Sequence, residues 1–157
     1  MQNKAPFEIY DGDLLPKPVM FRYVNANWLR KLFPGRVMTV KPLEDYVKVL
    51  DPAGYPMWLT IRRQDRTIRM SHKILLDKDA PEEVDLQNIV GTANTNCRFN
   101  RFIIMQGSQG SFIYVISEIP LRERLMPYEL IARLRSHWTD YGRGLKHFGG
   151  FCRRTGS

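Results

Sequence analysis

The side chains best suited to acid–base or metal chemistry are three histidines, His72, His137 and His147. Catalytic and zinc-binding histidines usually recur at short, regular spacing, for example one helical turn apart. These three histidines fit no such pattern. Ser71, which precedes His72, would point to the opposite side of a strand and could not act with it. The histidines are therefore predicted to be surface or packing residues.

The other reactive residue types also lack a site pattern. Neither Cys97 nor Cys152 has a second cysteine or a histidine at the spacing of a structural zinc site. The glycines at 107 and 110 belong to a predicted hairpin turn, and no helix follows them that could hold a phosphate. The acidic residues from 77 to 85 lack the spacing and the central glycine of a calcium loop. We therefore expect no catalytic residues, no metal and no cofactor, and we interpret the chain as not an enzyme.

Length and composition indicate one soluble domain. The chain has 157 residues, of which 43% are hydrophobic and 25% charged, so it can bury an ordinary core. No apolar stretch approaches the ~20 residues that a membrane span needs, and the first ten residues contain no secretory segment. We expect a cytoplasmic protein with Cys97 and Cys152 as thiols, the alternative being one disulfide between them.

Positive charge is concentrated at the C-terminal end. The net charge is +8, and residues 141–157 contain Arg143, Lys146, Arg153 and Arg154 with no acidic residue. Such a cluster is typical of a site for nucleic acid or another polyanion. A solvated tail that aids solubility is the other interpretation of the same residues.

The elements between residues 25 and 76 are predicted to be one short helix and four antiparallel strands. Asn25 or Asn27 can cap a helix that Pro34 ends. Strands follow at 37–40, 46–50, 58–63 and 67–70, because apolar and polar residues alternate there between turn residues.

Alternation also predicts which side chains share a side of the sheet. Trp58 alternates with Leu59, and Phe112 and Tyr114 alternate with Ile113 in the predicted hairpin of residues 99–119. Trp58, Phe112 and Tyr114 are thus candidates for a protein-binding surface. Their alternative interpretation is an ordinary core.

Two longer helices complete the prediction. Residues 82–97 predict an amphipathic helix in which Gly91 indicates close packing. From Pro127 to about residue 144, apolar residues recur at helical spacing, and the opposite side of this helix is predicted to carry Glu129, Arg133 and Asp140.

This order of elements resembles the type III secretion chaperone-like fold and, within it, the YbjN family of bacterial proteins. The resemblance covers residues 25–148 and is strongest between 86 and 138. Several short segments and single residues carry it: Ala93, Asn94, Asn96, 99–105, 112–115, 118–121, Pro127, Leu130 and Leu134.

The resemblance implies a small α+β domain in which about three helices cover an antiparallel sheet, commonly as a homodimer. Secretion chaperones of this fold bind an extended segment of another protein, although they are typically acidic and this chain is basic. We expect a loop-like extension at 1–24, the domain at 25–148 and a basic tail at 149–157. The expected function is a chaperone-like or regulatory protein-binding module acting as a homodimer; the alternative is a nucleic-acid or polyanion binder acting through the tail.

Overall fold

Antiparallel strands make up most of the chain. The computed structural model of the protein describes residues 17–154. Over these residues the strands are β1 (Val19–Met20), β2 (Val37–Lys41), β3 (Tyr46–Leu50), β4 (Pro56–Arg62), β5 (Thr67–Leu76), β6 (Arg101–Gly107), β7 (Gly110–Pro120), β8 (Arg124–Leu125) and β9 (Cys152–Arg154).

Three α-helices of the described residues connect and cover the strands. They are α1 (Ala26–Arg30), α2 (Glu83–Asn96) and α3 (Pro127–Leu145). The side chain of Asn25 accepts a hydrogen bond from the N–H of Trp28 at 2.8 Å, which provides the cap predicted for the first helix. Short 3₁₀ segments at Phe21–Tyr23, Pro42–Glu44 and Lys146–Phe151 link neighbouring elements.

The main sheet is antiparallel throughout, with the spatial order β2-β3-β4-β5-β7-β6. β9 also pairs with β5, at residues 74–76, beyond the stretch that β4 occupies. Within the segment expected to be a basic tail, residues 152–154 thus join the sheet. At the other end, β1 pairs with β8, and residues 1–16 of the expected extension lie outside the described residues. The predicted α+β class is confirmed.

The strand predicted to end at Met70 is six residues longer and ends at Leu76. Alternation continues through the added residues: His72 and Ile74 are buried, whereas Lys73 and Leu75 are only partly so. Residues 67–75 pair with residues 112–120 of β7, which supplies the backbone partners for the extension.

The helices cover one face of the sheet only. Apolar side chains on that face form two adjoining clusters. The first contains Leu29, Phe33, Val49, Leu59, Met70 and Leu134, and the second contains Val90, Phe102, Ile113, Val115, Tyr141 and Phe148. Full burial of one such side chain contributes about 2 kcal/mol. This burial fixes which side of every strand faces the helices, and the opposite side is left without a helix.

Asp140 was expected on the outer side of the last helix, and this prediction is wrong. The side chain is only 2% exposed. Its carboxylate accepts hydrogen bonds from the N–H groups of Arg98, Phe99 and Asn100 at 2.8, 2.8 and 3.0 Å, and from the Asn100 amide at 2.9 Å. Burial by itself would raise the pKa of the Asp140 carboxyl. The four hydrogen bonds lower this pKa by a larger amount, so it lies below the ordinary value of an aspartate. The carboxylate thereby ties α3 to the segment that begins β6.

Close packing occurs at Gly144 and not at Gly91. A Cβ atom on Gly91 would meet no atom within 4 Å, so the prediction of tight packing there is wrong. A Cβ atom on Gly144 would overlap the ring of Phe102 and the sulfur of Cys97. The glycine therefore lets the end of α3 lie directly on β6.

Replacing the Asp140 carboxylate tests this link. Asp140→Asn cannot accept all the hydrogen bonds of the 98–100 backbone, and we expect the free energy of unfolding to fall by about 2 kcal/mol or more. Glu129→Gln, on the same helix, is the control and should change stability by less than about 0.5 kcal/mol. Urea unfolding measures both. Equal midpoints for the two variants would contradict this account of Asp140.

Candidate functional site

The histidines at 72 and 137 lie in the core. His72 is 2% exposed, and its ring stacks on Tyr141 with 3.9 Å between the ring centroids. His137 is 5% exposed, its Nδ1 is 3.0 Å from the Ser117 hydroxyl, and its ring stacks on Phe99. Burial lowers the pKa of His137 to about 4. Their contacts are those of the packing residues that the sequence analysis expects.

The cysteines are separate thiols in the structure. Burial raises the pKa of Cys97, and it raises the pKa of Cys152 to about 11. Both groups thus stay protonated at neutral pH and are poor nucleophiles. Within residues 17–154, the acidic, histidine and cysteine side chains form no cluster that could hold a metal ion.

The candidate site is the face of the main sheet that carries no helix, which we call the open face. Strand pairing brings together the three residues predicted for a protein-binding surface. Trp58 lies opposite Ser71 on β5, Ser71 lies opposite Ile116 on β7, and Tyr114 and Phe112 precede Ile116 on the same side of β7. The prediction that they share one side of the sheet therefore holds in the structure.

A shallow groove of about 570 Å³ runs across the open face. Its lining combines half-buried rings with lysines and small polar groups: Lys41, Glu44, Tyr46, Trp58, Thr60, Ser71, Lys73, Met105, Phe112 and Tyr114. Leu59 and Ile61, the neighbours of Trp58 and Thr60 on β4, point to the helix-covered face and are 0% and 5% exposed. Apart from Ser71, which is buried, the groove residues are at least partly exposed and lie outside the domain core.

Lysines lie over several of the aromatic rings. The Nζ atom of Lys73 lies 4.4 Å from the ring centroid of Phe112, and the Nζ atom of Lys48 lies 5.4 Å from the ring centroid of Trp58. A third lysine, Lys41, lies 5.8 Å from the ring centroid of Tyr46. Cation–π contacts at such exposed sites contribute about 0.5–1 kcal/mol each and hold the ammonium groups near the rings.

The acidic residues of the open face are confined to one end. Glu118 bonds to both Arg62 and Arg69, at 3.2 and 2.6 Å, so its charge is already compensated. Glu44 lies 3.9 Å from the exposed Lys41. The positions paired with Trp58, Tyr114 and Phe112 include the cations Lys48 and Lys73 and no acidic residue, so this part of the groove is electropositive.

The sequence patterns did not point to Tyr46 or to the lysines of the groove. Alternation along β3 could nevertheless have identified Tyr46 and Lys48. Tyr46 and Lys48 occupy the same side of β3, and the register places them opposite Thr60 and Trp58. Lys73 could not be found in this way, because the strand was predicted to end before it.

Two of the four basic residues predicted for polyanion binding, Arg143 and Lys146, lie apart from the groove. Arg143 belongs to α3, on the helix-covered side, and Lys146 follows directly; both are exposed. Arg153 and Arg154 belong to β9, where their backbone pairs with Leu75 and Ile74. Arg143 and Lys146 are thus separated from the open face, whereas the backbone of Arg153 adjoins it, because Leu75 also pairs with Phe112.

Comparison with known proteins gives a match among solved structures. No protein family matches the sequence, and no curated protein matches it. Among solved structures, YbjN from E. coli, described as a candidate transcription regulator, matches with a TM-score of 0.52 and 12% sequence identity. The match covers 64% of this chain and 74% of that chain.

The fold is YbjN-like. The resemblance inferred from the residues between 86 and 138 is thus confirmed at the level of the fold.

Within residues 17–154, no α-helix is long and apolar enough to cross a membrane.

The buried imidazole of His137 predicts a pH dependence of stability. The unfolded chain takes up a proton on His137 near the ordinary pKa of about 6.5, whereas the folded chain does so only near pH 4. Stability is thus fully present above about pH 6.5 and falls as the pH is lowered toward 4. In His137→Gln this contribution is absent. The stability difference between wild type and variant should narrow by about 1–2 kcal/mol between about pH 7 and pH 5.

Urea unfolding at both pH values checks this prediction. Ser136→Ala, an exposed change on the same helix, is the control and should keep the wild-type pH dependence. A constant difference between wild type and His137→Gln would show that the imidazole does not resist protonation in the fold.

Proposed function

We propose that this YbjN-like chain is a non-enzymatic binding module whose open face binds an acidic, extended segment of a partner protein. The observation that carries the proposal is the groove in which Trp58, Phe112 and Tyr114 lie beside Lys48 and Lys73. A regulatory role accords with the description of the E. coli neighbour.

Shape and charge both support this partner. Aromatic side chains and methionine are enriched at protein interfaces because they contribute much apolar contact area at low entropic cost. The lysines beside the rings would attract carboxylates and repel basic segments. An acidic segment with interspersed apolar residues matches both properties of the groove.

The geometry of the rings favours a polypeptide over single-stranded nucleic acid. Recognition of bases on a sheet depends on aromatic faces that remain open for stacking. Here Lys48 lies over Trp58, Lys73 over Phe112 and Lys41 over Tyr46. A base could stack on these rings only after displacing the lysines, whereas a carboxylate can bind the same lysines where they are.

Other features of the proposal follow from the resemblance to the secretion chaperone-like fold. They are a chaperone-like mode of binding, a homodimer and a location in the bacterial cytoplasm. Light scattering tests the homodimer: we expect twice the 18.4 kDa mass of one chain, and a strictly monomeric mass at all concentrations would contradict it.

The second candidate function is polyanion binding through the C-terminal segment. It is favoured by exposed Arg143 and Lys146 and by the absence of acidic residues from 141 to 157. Such binding would weaken steeply with salt, because each cation that contacts a phosphate releases counterions.

Charge reversal on the open face tests the leading proposal. With a random copolymer of Glu and Tyr as probe, Lys73→Glu and Trp58→Ala should each weaken binding by about tenfold or more. Lys78→Glu has the same change of charge on an exposed lysine outside the groove and should leave binding within about threefold. Fluorescence anisotropy of the labelled copolymer measures affinity, and circular dichroism verifies that each variant is folded.

The same variants separate the alternatives. Oligothymidylate bound more tightly than the copolymer, with binding lost in Arg153→Ala/Arg154→Ala and unchanged in Lys73→Glu, would assign the function to the C-terminal segment instead. Equal affinity of Lys73→Glu and Lys78→Glu for the copolymer would remove the open face as its binding surface.

A further inference from the structure

The chain itself contains an acidic segment with interspersed apolar residues. Residues 7–15, which we call the N-terminal segment, lie outside the described residues and have the sequence FEIYDGDLL. They include Glu8, Asp11 and Asp13 and no basic residue. The apolar positions of the segment are Phe7, Ile9, Tyr10, Leu14 and Leu15. This is the chemistry that the groove of the open face would bind in a partner protein.

The segment also differs in charge from the rest of the chain. Residues 1–16 have a net charge of −2, whereas the whole chain has a net charge of +8. The other stretch with at least three acidic residues and no basic one is 79–97, and most of it is α2, which packs into the core. The N-terminal segment is therefore the part of the chain outside the described domain that opposes the charge of the groove.

The start of the described chain lies beside one end of the groove. Phe21 is 6.0 Å from the guanidinium carbon of Arg63, measured to the ring centroid. Arg63 directly follows β4, on which Thr60 and Trp58 line the groove. Trp58 is five residues from Arg63, about 17 Å along the strand. A nine-residue segment spans about 30 Å when extended, so the N-terminal segment is long enough to run along the groove.

Two lysines of the open face are suited to bind the carboxylates of this segment. The salt bridges at that face involve Lys41, Arg62 and Arg69. Lys48 and Lys73 instead place their ammonium groups over aromatic rings. A carboxylate can therefore approach these two ammonium groups without displacing an ion-pair partner among the described residues.

We propose that the N-terminal segment occupies the groove of its own chain and competes there with the partner protein. This inference rests on the proposed function, because both occupants use the same lysines and rings. The carboxylates of the segment would lie near Lys48 and Lys73, and its apolar side chains would cover part of Trp58 and Phe112. A partner would then bind only by displacing the segment, which selects for partners that bind the groove more tightly than the segment does.

Neutralising the segment in the full chain tests the competition. The variant is Glu8→Gln/Asp11→Asn/Asp13→Asn, and the probe is the labelled random copolymer of Glu and Tyr. A segment that occupies the groove for about four-fifths of the time lowers the apparent affinity for the probe about fivefold. We therefore expect the variant to bind the copolymer about fivefold more tightly than the wild-type chain, as measured by fluorescence anisotropy.

The control variant is Asp79→Asn/Glu82→Gln/Glu123→Gln. It makes the same change of net charge at three exposed positions outside the groove. Because general attraction between the chain and the copolymer rises equally in both variants, only the release of the groove distinguishes them. The control should change the affinity by less than about twofold.

A nitroxide label locates the segment. It is attached through Gly12→Cys, which leaves every acidic and apolar side chain of the segment in place, and the chain carries fluorotryptophan. We expect the label to broaden the fluorine signal of Trp58 more than that of Trp138, which packs against the core under the helices. The broadening should decrease on neutralisation of the segment and in Lys73→Glu, and it should persist in Lys78→Glu. The unsubstituted chain treated with the same nitroxide reports reaction at the native cysteines.

Three outcomes would overturn the competition. Equal copolymer affinity of the neutralised and control variants would reject the segment and keep the open face as the site of the partner. Broadening of Trp58 that is absent, or that neutralisation leaves unchanged, would show that the segment does not bind the groove through its acidic residues. Broadening in a mixture of nitroxide-labelled chains without fluorotryptophan and fluorotryptophan chains without nitroxide would assign the groove to the segment of a second copy.

A different result would reject the proposed function and keep this inference. It is the absence of copolymer binding by all the variants, together with broadening of Trp58 that decreases on neutralisation of the segment. The groove would then bind the N-terminal segment and no acidic partner.

Discussion

One constraint determines the surface of this molecule: three helices bury a single face of an antiparallel sheet. Every strand of that sheet must direct its apolar side toward the helices, so each alternate residue is left on the other side. On β4, for example, Leu59 faces the helices and is 0% exposed, whereas its neighbour Trp58 lies on the other side and is only half-buried. The open face is thus a product of the same pattern that stabilises the domain.

The elements of the fold could be predicted because their signals are local. Asn25 caps its helix, and alternation marks the strands and their faces, as at Leu59 and Ile113. The contribution of Asp140 could not be predicted in this way. Its main partners are backbone N–H groups at 98–100, which are identical in every residue but proline and leave no mark in a sequence pattern.

The candidate site was predicted in part for a related reason. Alternation placed Trp58, Phe112 and Tyr114 on one side of their strands, but only the register of several strands shows which cations lie beside them. Lys73 reaches Phe112 because β5 continues to Leu76, where pairing with β7 maintains the strand. The lysines of the groove could therefore be identified only from long-range strand pairing, whereas its aromatic residues could be identified from local alternation.

Fluorine NMR of the chain labelled with fluorotryptophan tests the binding face most directly. Trp58 lies in the groove, whereas Trp28 and Trp138 pack against the core under the helices, so the three tryptophans report on opposite sides of the sheet. Addition of an acidic copolymer should shift or broaden the Trp58 signal and leave the other two unchanged. A response at Trp28 or Trp138 with an unchanged Trp58 signal would contradict binding at the open face.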